Sequence, residues 1–94
     1  MTVKVCFEAQ LRVAAGVEFV EVPLTDGDSV ADVLRAASVA VPASVSDRLF
    51  EEDGSVRTSL LIFWNEIPVS ARQCSTEGAR TGDTIVVCPP IAGG

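Results

Sequence analysis

One helix with a single apolar stripe is the feature that most restricts the fold of this chain. Ser29 precedes the stripe and Asp32 follows three residues later, a spacing close to a capping box, which predicts that the helix begins at Ser29. Pro42 lacks a backbone N–H donor, which predicts that the helix ends before this residue. The stripe itself comprises Val30, Val33, Leu34 and Ala37. Apolar residues at this spacing predict a helix that is buried along one side.

The rest of the chain is dominated by strand patterns. In residues 3–8 apolar and polar side chains alternate, which predicts a half-buried strand. Residues 59–64 form a continuous apolar run, which indicates a central strand covered on both faces. Further strands are predicted at residues 17–24, 67–69 and 84–88, the one at 67–69 being short.

Shorter elements connect these segments. Residues 9–15 favour a helical turn that Gly16 ends, and residues 43–50 favour a short helix. Turns are predicted at residues 25–28, 51–54 and 65–66, and residues 70–82 are expected to be polar and irregular. The order β-β-α-β-β-β predicts an α+β domain, with one sheet and the main helix packed across one of its faces.

Length and charge limit the function classes. The 94 residues predict a single domain over 1–94. The net charge of −6 argues against nucleic acid as a partner and suits a partner with a basic face. No apolar run reaches membrane length and no signal peptide is evident, so we expect no membrane contact. Three widely spaced cysteines indicate a reducing compartment, and we expect a cytoplasmic location.

The side chains offer little catalytic chemistry. Histidine is absent, which excludes Ser-His-Asp and Cys-His catalysis, and no C-x-x-C spacing is present, so no metal site is predicted. Cys88 falls in an apolar strand without a cationic neighbour, which favours a structural or interface thiol over a reactive one. Arg12 is interpreted as a surface charge that is also a candidate partner contact, and Trp64 as a core residue.

The last six residues form a distinctive tail. Pro89 and Pro90 remove two backbone donors, so the strand ladder is expected to stop before them and residues 89–94 to extend from the domain. Gly93 and Gly94 lack side chains, which makes a slim tip that is able to thread into another protein's active site. A terminal carboxylate is ionised at neutral pH. It can be adenylated by ATP and then converted by a sulfide equivalent into a thiocarboxylate.

These features together resemble the MoaD/ThiS family of ubiquitin-like sulfur carriers, and in particular the small subunits of molybdopterin synthase. The resemblance spans nearly the whole chain and rests mainly on the terminal motif. The matching segments are Val3-Lys4-Val5, Ala9-Gln10-Leu11-Arg12, Ala15-Gly16, the helix after Asp28, Gly82-Asp83-Thr84 and Pro89-Pro90-Ile91-Ala92-Gly93-Gly94. The resemblance implies a ubiquitin-like β-grasp fold, with a mixed sheet of four to five strands and one main helix packed across it.

The resemblance also implies sites and partners. Gly94 would carry the adenylate and then the thiocarboxylate. Gly93, which has no side chain, would let the tip enter the active site of a partner. The partner-binding residues would be Arg12, Cys88, Pro89, Pro90, Ile91 and Ala92. The implied partners are an E1-like adenylyltransferase, which uses ATP, and the large subunit of molybdopterin synthase in a heterotetramer. No cofactor is expected on the chain itself, which would be a non-catalytic sulfur donor.

Several alternatives remain open. The chain is longer than the usual molybdopterin carrier, with extra sequence around residues 42–58. Related carriers serve cysteine, thiamine or secondary-metabolite synthesis. A protein modifier joined through Gly94 to lysines, and a plain β-grasp interaction module, are two further readings.

Overall fold

A computed structural model describes residues 1–90, and residues 91–94 lie outside the described residues. Five strands and four helices occur in the described part. In chain order they are β1 (Thr2–Phe7), α1 (Ala9–Ala15), β2 (Phe19–Pro23), α2 (Val30–Val39), α3 (Ala43–Leu49), β3 (Leu61–Trp64), β4 (Ile67–Val69), α4 (Ala71–Thr76) and β5 (Thr84–Cys88). None of these helices is long and apolar enough to span a membrane.

The strands form one mixed sheet in the order β2-β1-β5-β3-β4. β1 and β5 are parallel, and the remaining pairs are antiparallel. The last strand therefore occupies the middle of the sheet, hydrogen-bonded on both sides. The segment that contains α2 and α3 crosses from β2, at one edge, to β3, which is the neighbour of the other edge strand. This arrangement confirms the predicted α+β, β-grasp architecture.

The main helix begins where the capping pattern predicts. The backbone N–H of Asp32 donates to the Ser29 hydroxyl at 3.1 Å, and the Asp32 carboxylate accepts from the Ser29 N–H at 3.0 Å. These two bonds satisfy donors that the first helical turn leaves free. All four residues of the predicted stripe are fully buried: Val30, Val33, Leu34 and Ala37. They share one core with the inward side chains of the sheet, among them Val3, Val5, Phe7, Ile62, Ile85 and Val87.

The tight turn between β3 and β4 is confirmed and carries backbone strain. Asn65 has φ 50° and Glu66 has φ 71°, so both central residues lie in the left-handed region. Hairpin turns of this kind match the twist of the strands and favour Asn followed by Gly. Glu66 occupies the position where glycine would fit without steric cost.

Two sequence predictions were wrong. β3 is not covered on both faces, because Leu61 is 44% exposed while only Ile62 is buried. A run of apolar residues does not distinguish burial on both faces from an apolar outer surface. Residues 70–82 are not irregular throughout. They include α4, which Ser70 and Gln73 begin with a second capping box, and Cys74 of that helix is buried in the core.

Candidate functional site

Alternation along the strands leaves the sheet with one face directed away from the helices. On β5, Ile85 and Val87 are buried, whereas Val86 is half-buried on the other side. Val86 lies opposite Cys6 of β1 and Phe63 of β3 in the register. This surface, termed the open face, comprises Lys4, Cys6, Phe19, Glu21, Leu61, Phe63, Thr84, Val86 and Cys88.

The open face has an apolar centre with acidic residues around it. Phe19 is 41% exposed and Leu61 is 44% exposed, although both lie within strands. Glu8, Glu18 and Glu21 are exposed close to one side of this surface. Exposed apolar patches with polar rims mark sites of protein contact. The chemistry of this surface suits a partner that has an apolar centre and basic residues at its rim.

The tail leaves the sheet at one end of the open face. Cys88 is the last residue of β5 and pairs with Leu61, so the ladder stops before Pro89 as predicted. Pro89 and Pro90 then border a groove of about 450 Å³ between α1, α3 and the segment before β3. The other residues that line the groove are Gln10, Leu11, Asp47, Arg48, Arg57, Ser59 and Leu60. The predicted site residues Ile91, Ala92, Gly93 and Gly94 lie outside the described residues.

Arg12 and Cys88 lie at the same end of the sheet but on different surfaces. The Glu8 N–H donates to the Val87 carbonyl at 3.1 Å, which fixes the start of α1 beside the end of β5. Arg12 projects from α1 and its guanidinium is 3.7 Å from the Glu18 carboxylate, with both side chains largely exposed. Arg12 therefore borders a separate cleft with Glu18, and Cys88 belongs to the open face. Their predicted role in partner binding stays a prediction.

The thiols of the open face are not activated. Partial burial raises the pKa of Cys88, and the nearby Glu8 carboxylate raises it further. Burial also raises the pKa of Cys6, where Lys4 opposes the effect and Glu8 and Glu18 reinforce it. Cys74 is buried, and burial raises its pKa to about 11. A cysteine nucleophile needs a lowered pKa, so these three side chains are protonated thiols at neutral pH.

The described residues include no cluster of side chains that could coordinate a metal ion. Within residues 1–90, no three or more His, Cys, Asp or Glu side chains are grouped as metal ligands would be.

A hydrogen-bond cluster at the opposite end of β5 holds this strand in place. Asp83 is only 9% exposed, and its carboxylate accepts from Trp64 Nε1 at 2.7 Å, from Asn65 Nδ2 at 2.8 Å and from the Arg80 N–H at 2.8 Å. Burial alone would raise the pKa of Asp83, but the bonds from Asn65, Trp64 and Arg80 outweigh it and lower the pKa. Asn65 also accepts from the Thr84 N–H at 2.8 Å, which ties the β3–β4 turn to β5.

Several residues of this region were missed from the sequence. Phe19, Leu61, Phe63 and Val86 were assigned to strands but not to an exposed apolar surface. A signal was available in residues 3–8, where the polar side chains of Lys4 and Glu8 alternate with apolar ones, a pattern that indicates a sheet with one open side. Arg48 and Arg57 gave no signal, because their proximity to the tail depends on how α3 packs.

Comparison with known proteins supports the sequence resemblance. No protein-family model matches the chain, and no curated protein matches it significantly. Among solved structures, SAMP1 from Haloferax volcanii superimposes with a TM-score of 0.87 at 26% identity, over 100% of both chains. A putative molybdopterin converting factor, subunit 1, from Pyrococcus furiosus gives a TM-score of 0.73 at 27% identity, over 97% of this chain and 99% of that one.

A third similar structure is the BexX/CysO complex of Amycolatopsis orientalis, with a TM-score of 0.74 over 98% of this chain and 99% of that one. At 24% identity, this likeness concerns the fold alone. The central parallel pair of strands, the single long helix and these likenesses define a ubiquitin-like β-grasp protein. Within that class, the likenesses to SAMP1 and to the molybdopterin converting factor subunit support the resemblance to the MoaD/ThiS-like sulfur carriers.

Proposed function

We propose that the protein is a sulfur carrier whose C-terminal carboxylate is the reacting group. The observation that supports this most strongly is the position of β5. The middle strand of the sheet leads through Cys88 directly to Pro89 and Pro90, at the edge of an apolar surface. The four remaining residues end in Gly93 and Gly94. A partner that binds the open face would therefore find the tail beside it.

The proposed chemistry uses groups that partners supply. The Gly94 carboxylate attacks the α-phosphate of ATP and pyrophosphate leaves, which gives an acyl-adenylate. A sulfide equivalent then attacks the acyl carbon and AMP leaves, which gives a thiocarboxylate. The chain contributes the carboxylate and the strand and tail that bring it to the partner. Raised pKa values of Cys6, Cys74 and Cys88 support this division, because none of these thiols is suited to act as the sulfur nucleophile.

The proposed partners are an E1-like adenylyltransferase, which uses the ATP, and a sulfur-accepting enzyme. The apolar centre and acidic rim of the open face support docking on a basic, apolar surface. The solved complex of CysO with BexX is a case in which a protein of the same fold was crystallised with another protein. Arg12, Cys88, Pro89 and Pro90 flank the tail end of the sheet and are proposed to contribute contacts.

The proposed acceptor is the molybdopterin precursor, held by the large subunit of molybdopterin synthase in a heterotetramer. The likeness to the Pyrococcus furiosus molybdopterin converting factor subunit supports this choice. Cysteine, thiamine and secondary-metabolite synthesis are the alternatives. The acceptor is tested by mixing the thiocarboxylated chain with the large subunit and the precursor. If molybdopterin is not formed and the thiocarboxylated chain instead supplies sulfur to a cysteine-forming partner, the acceptor belongs to cysteine synthesis.

A second candidate function is that of a protein modifier. The Haloferax volcanii relative is a small archaeal modifier protein and aligns with this chain over the full length of both. Mass spectrometry distinguishes the two functions. A carrier gains one sulfur in place of one oxygen, whereas a modifier is recovered in branched conjugates through Gly94.

The decisive experiment removes or enlarges the tip. A chain ending at Gly93 loses about 3.3–3.6 Å of reach, and a misplacement of about 1 Å can cost on the order of 10²-fold in rate. Gly93→Val adds a branched side chain to the tip. Val39→Ser, at an 86% exposed position of α2, is the control. Adenylation by the cognate E1-like enzyme and intact mass are measured. Full activity of the shortened chain would contradict the carrier function.

A further inference from the structure

The groove beside the tail is built from elements that are fixed to one another. Its volume is about 450 Å³, Leu11 of α1 and Leu60 form its apolar part, and Arg48 of α3 lies at its rim. The Arg57 N–H donates to the Leu49 carbonyl at 2.9 Å, which joins the segment before β3 to the end of α3. The groove is therefore a preformed surface of the folded domain.

The two arginines that line the groove have different surroundings. The Arg57 guanidinium donates to the Glu51 carboxylate at 2.9 Å and to the Asp47 carbonyl at 3.1 Å, so its charge is already paired. Arg48 is exposed and forms no ion pair with any of residues 1–90, although the Asp47 side chain also lines the groove. A guanidinium binds a carboxylate through two parallel hydrogen bonds. Arg48 is thus placed to receive one.

The tail begins at the rim of this groove. Pro89 and Pro90 both border it, so the next residue of the chain starts there. The four residues after Pro90 span at most about 13–14 Å when extended, which lets them lie along the groove. They bring one large apolar side chain, Ile91, and the carboxylate of Gly94. On the other side of the tail's exit, the exposed Glu8 carboxylate repels a second negative charge.

We propose that this groove binds the chain's own tail, with Ile91 against Leu11 and Leu60 and the Gly94 carboxylate paired with Arg48, and that this contact withholds the tip from the activating enzyme. The inference rests on the proposed function of Gly94. The contact is intramolecular, which favours it, but an exposed ion pair adds little stability, so the tail is released readily. The enzyme binds only chains whose tail is free, which lowers its apparent affinity by that fraction.

The first experiment needs no partner. The ¹⁵N-labelled chain is compared with Arg48→Ala by NMR relaxation. We expect the Gly94 amide to move less on the picosecond to nanosecond timescale in the wild type, because loss of the guanidinium releases the tip. Arg48→Lys retains the charge and should retain part of the restraint. Equal mobility of Gly94 in the wild type and in Arg48→Ala would overturn the proposal.

The second experiment measures adenylation by the cognate E1-like enzyme as pyrophosphate release. Arg48→Ala should lower the KM for the chain about two- to fivefold and leave kcat unchanged. Asp47→Asn removes a negative charge from the groove, keeps the carbonyl that Arg57 contacts and should raise KM, because the tail is held more firmly. Arg80→Ala removes the same charge as Arg48→Ala before the opposite end of β5, and as the matched control should keep the wild-type KM.

The remaining outcomes separate this inference from its alternatives. A raised KM in Arg48→Ala would make Arg48 a contact of the enzyme, and an equal decrease in Arg80→Ala would make net charge the cause. Either result overturns the proposal, as does an unchanged KM in a variant whose tip is released. Absence of adenylation in every variant would contradict the proposed activation of Gly94, and the mobility of its amide would then decide tail binding alone.

Discussion

The indole Nε1 of Trp64 donates a hydrogen bond of 2.7 Å to the carboxylate of Asp83. The two residues are 19 positions apart, at the end of β3 and directly before β5. The bond joins two neighbouring strands at the end of the sheet opposite the tail. It satisfies the polar atom of a partly buried tryptophan and pairs a carboxylate that is almost inaccessible to solvent.

Removal of this donor should destabilise the domain without changing its shape. Trp64→Phe keeps an aromatic ring but leaves Asp83 with one bond fewer. A hydrogen bond to a charged group contributes about 1.5–3 kcal/mol, and we expect a loss near the lower end because Asp83 retains its other donors. Urea unfolding followed by circular dichroism measures the loss. Ser38→Ala, which removes only a local bond on α2, is the control and should change stability little. Equal stability of Trp64→Phe and the wild type would show that the bond is dispensable.

The stability of the domain should fall in acid because of Asp83. Its pKa is lowered in the folded state from an ordinary value of 3.8. A lowered folded-state pKa gives stability that is fully present above pH 3.8 and is lost as the pH falls through the folded-state value. Asp83→Asn should be less stable at neutral pH and should show a shallower loss of stability below pH 4, about the ordinary carboxyl range. An unchanged acid slope in Asp83→Asn would assign the effect to Asp32 and Asp53, whose pKa values are also lowered.

A glycine at position 66 should stabilise the protein. The positive φ of Glu66 costs roughly 1–2 kcal/mol for a residue with a Cβ, whereas glycine adopts it freely and Asn-Gly suits this turn. Since glycine also loses more entropy on folding, we expect a net gain of about 0.5–1 kcal/mol in the free energy of unfolding. Glu66→Ala retains the strain and is the matched control. A gain in Glu66→Ala as large as in Glu66→Gly would indicate a charge effect instead.

A charge on the open face should weaken partner binding and leave folding intact. Leu61→Asp places a carboxylate at a 44% exposed position beside Cys88. Loss of an apolar contact at a binding hot spot costs about 2 kcal/mol or more, so we expect at least about a tenfold weaker affinity for the activating enzyme by calorimetry. Val39→Asp adds the same charge on α2, at an 86% exposed position, and should bind normally. Equal affinities of the two variants would locate docking elsewhere.

Local chemistry made much of the fold predictable. The start of α2 depends on two residues three positions apart, and the β3–β4 turn depends on Asn65 and its neighbour. Both features depend only on residues that are close together in the sequence. The errors concern relations between distant segments. Leu61 was misjudged because its exposure depends on which side of the sheet the helices occupy, and α4 was missed because its one buried anchor, Cys74, stands in a polar segment.

The base of the candidate site was not predictable from sequence, and its tip stays a prediction. Gly93, Gly94 and the two prolines identify the tail by composition alone. Arg12 and Cys88 were both predicted as partner contacts, but sequence could not separate the α1 surface, where Arg12 lies, from the open face, where Cys88 lies. Arg48 and Arg57 border Pro89 and Pro90 only because α3 folds back over that end.

The parallel pairing of β1 with β5 determines how the molecule bears a pulling force. Four registered residue pairs join these strands, from Lys4 with Thr84 to Phe7 with Val87. The chain enters the sheet at one end of β1 and leaves at the other end of β5. Tension between the tail and the N-terminal end therefore shears these hydrogen bonds together instead of opening them one at a time. An enzyme that draws the tail into its channel would thus pull in the direction that shears the sheet, in which these hydrogen bonds share the load.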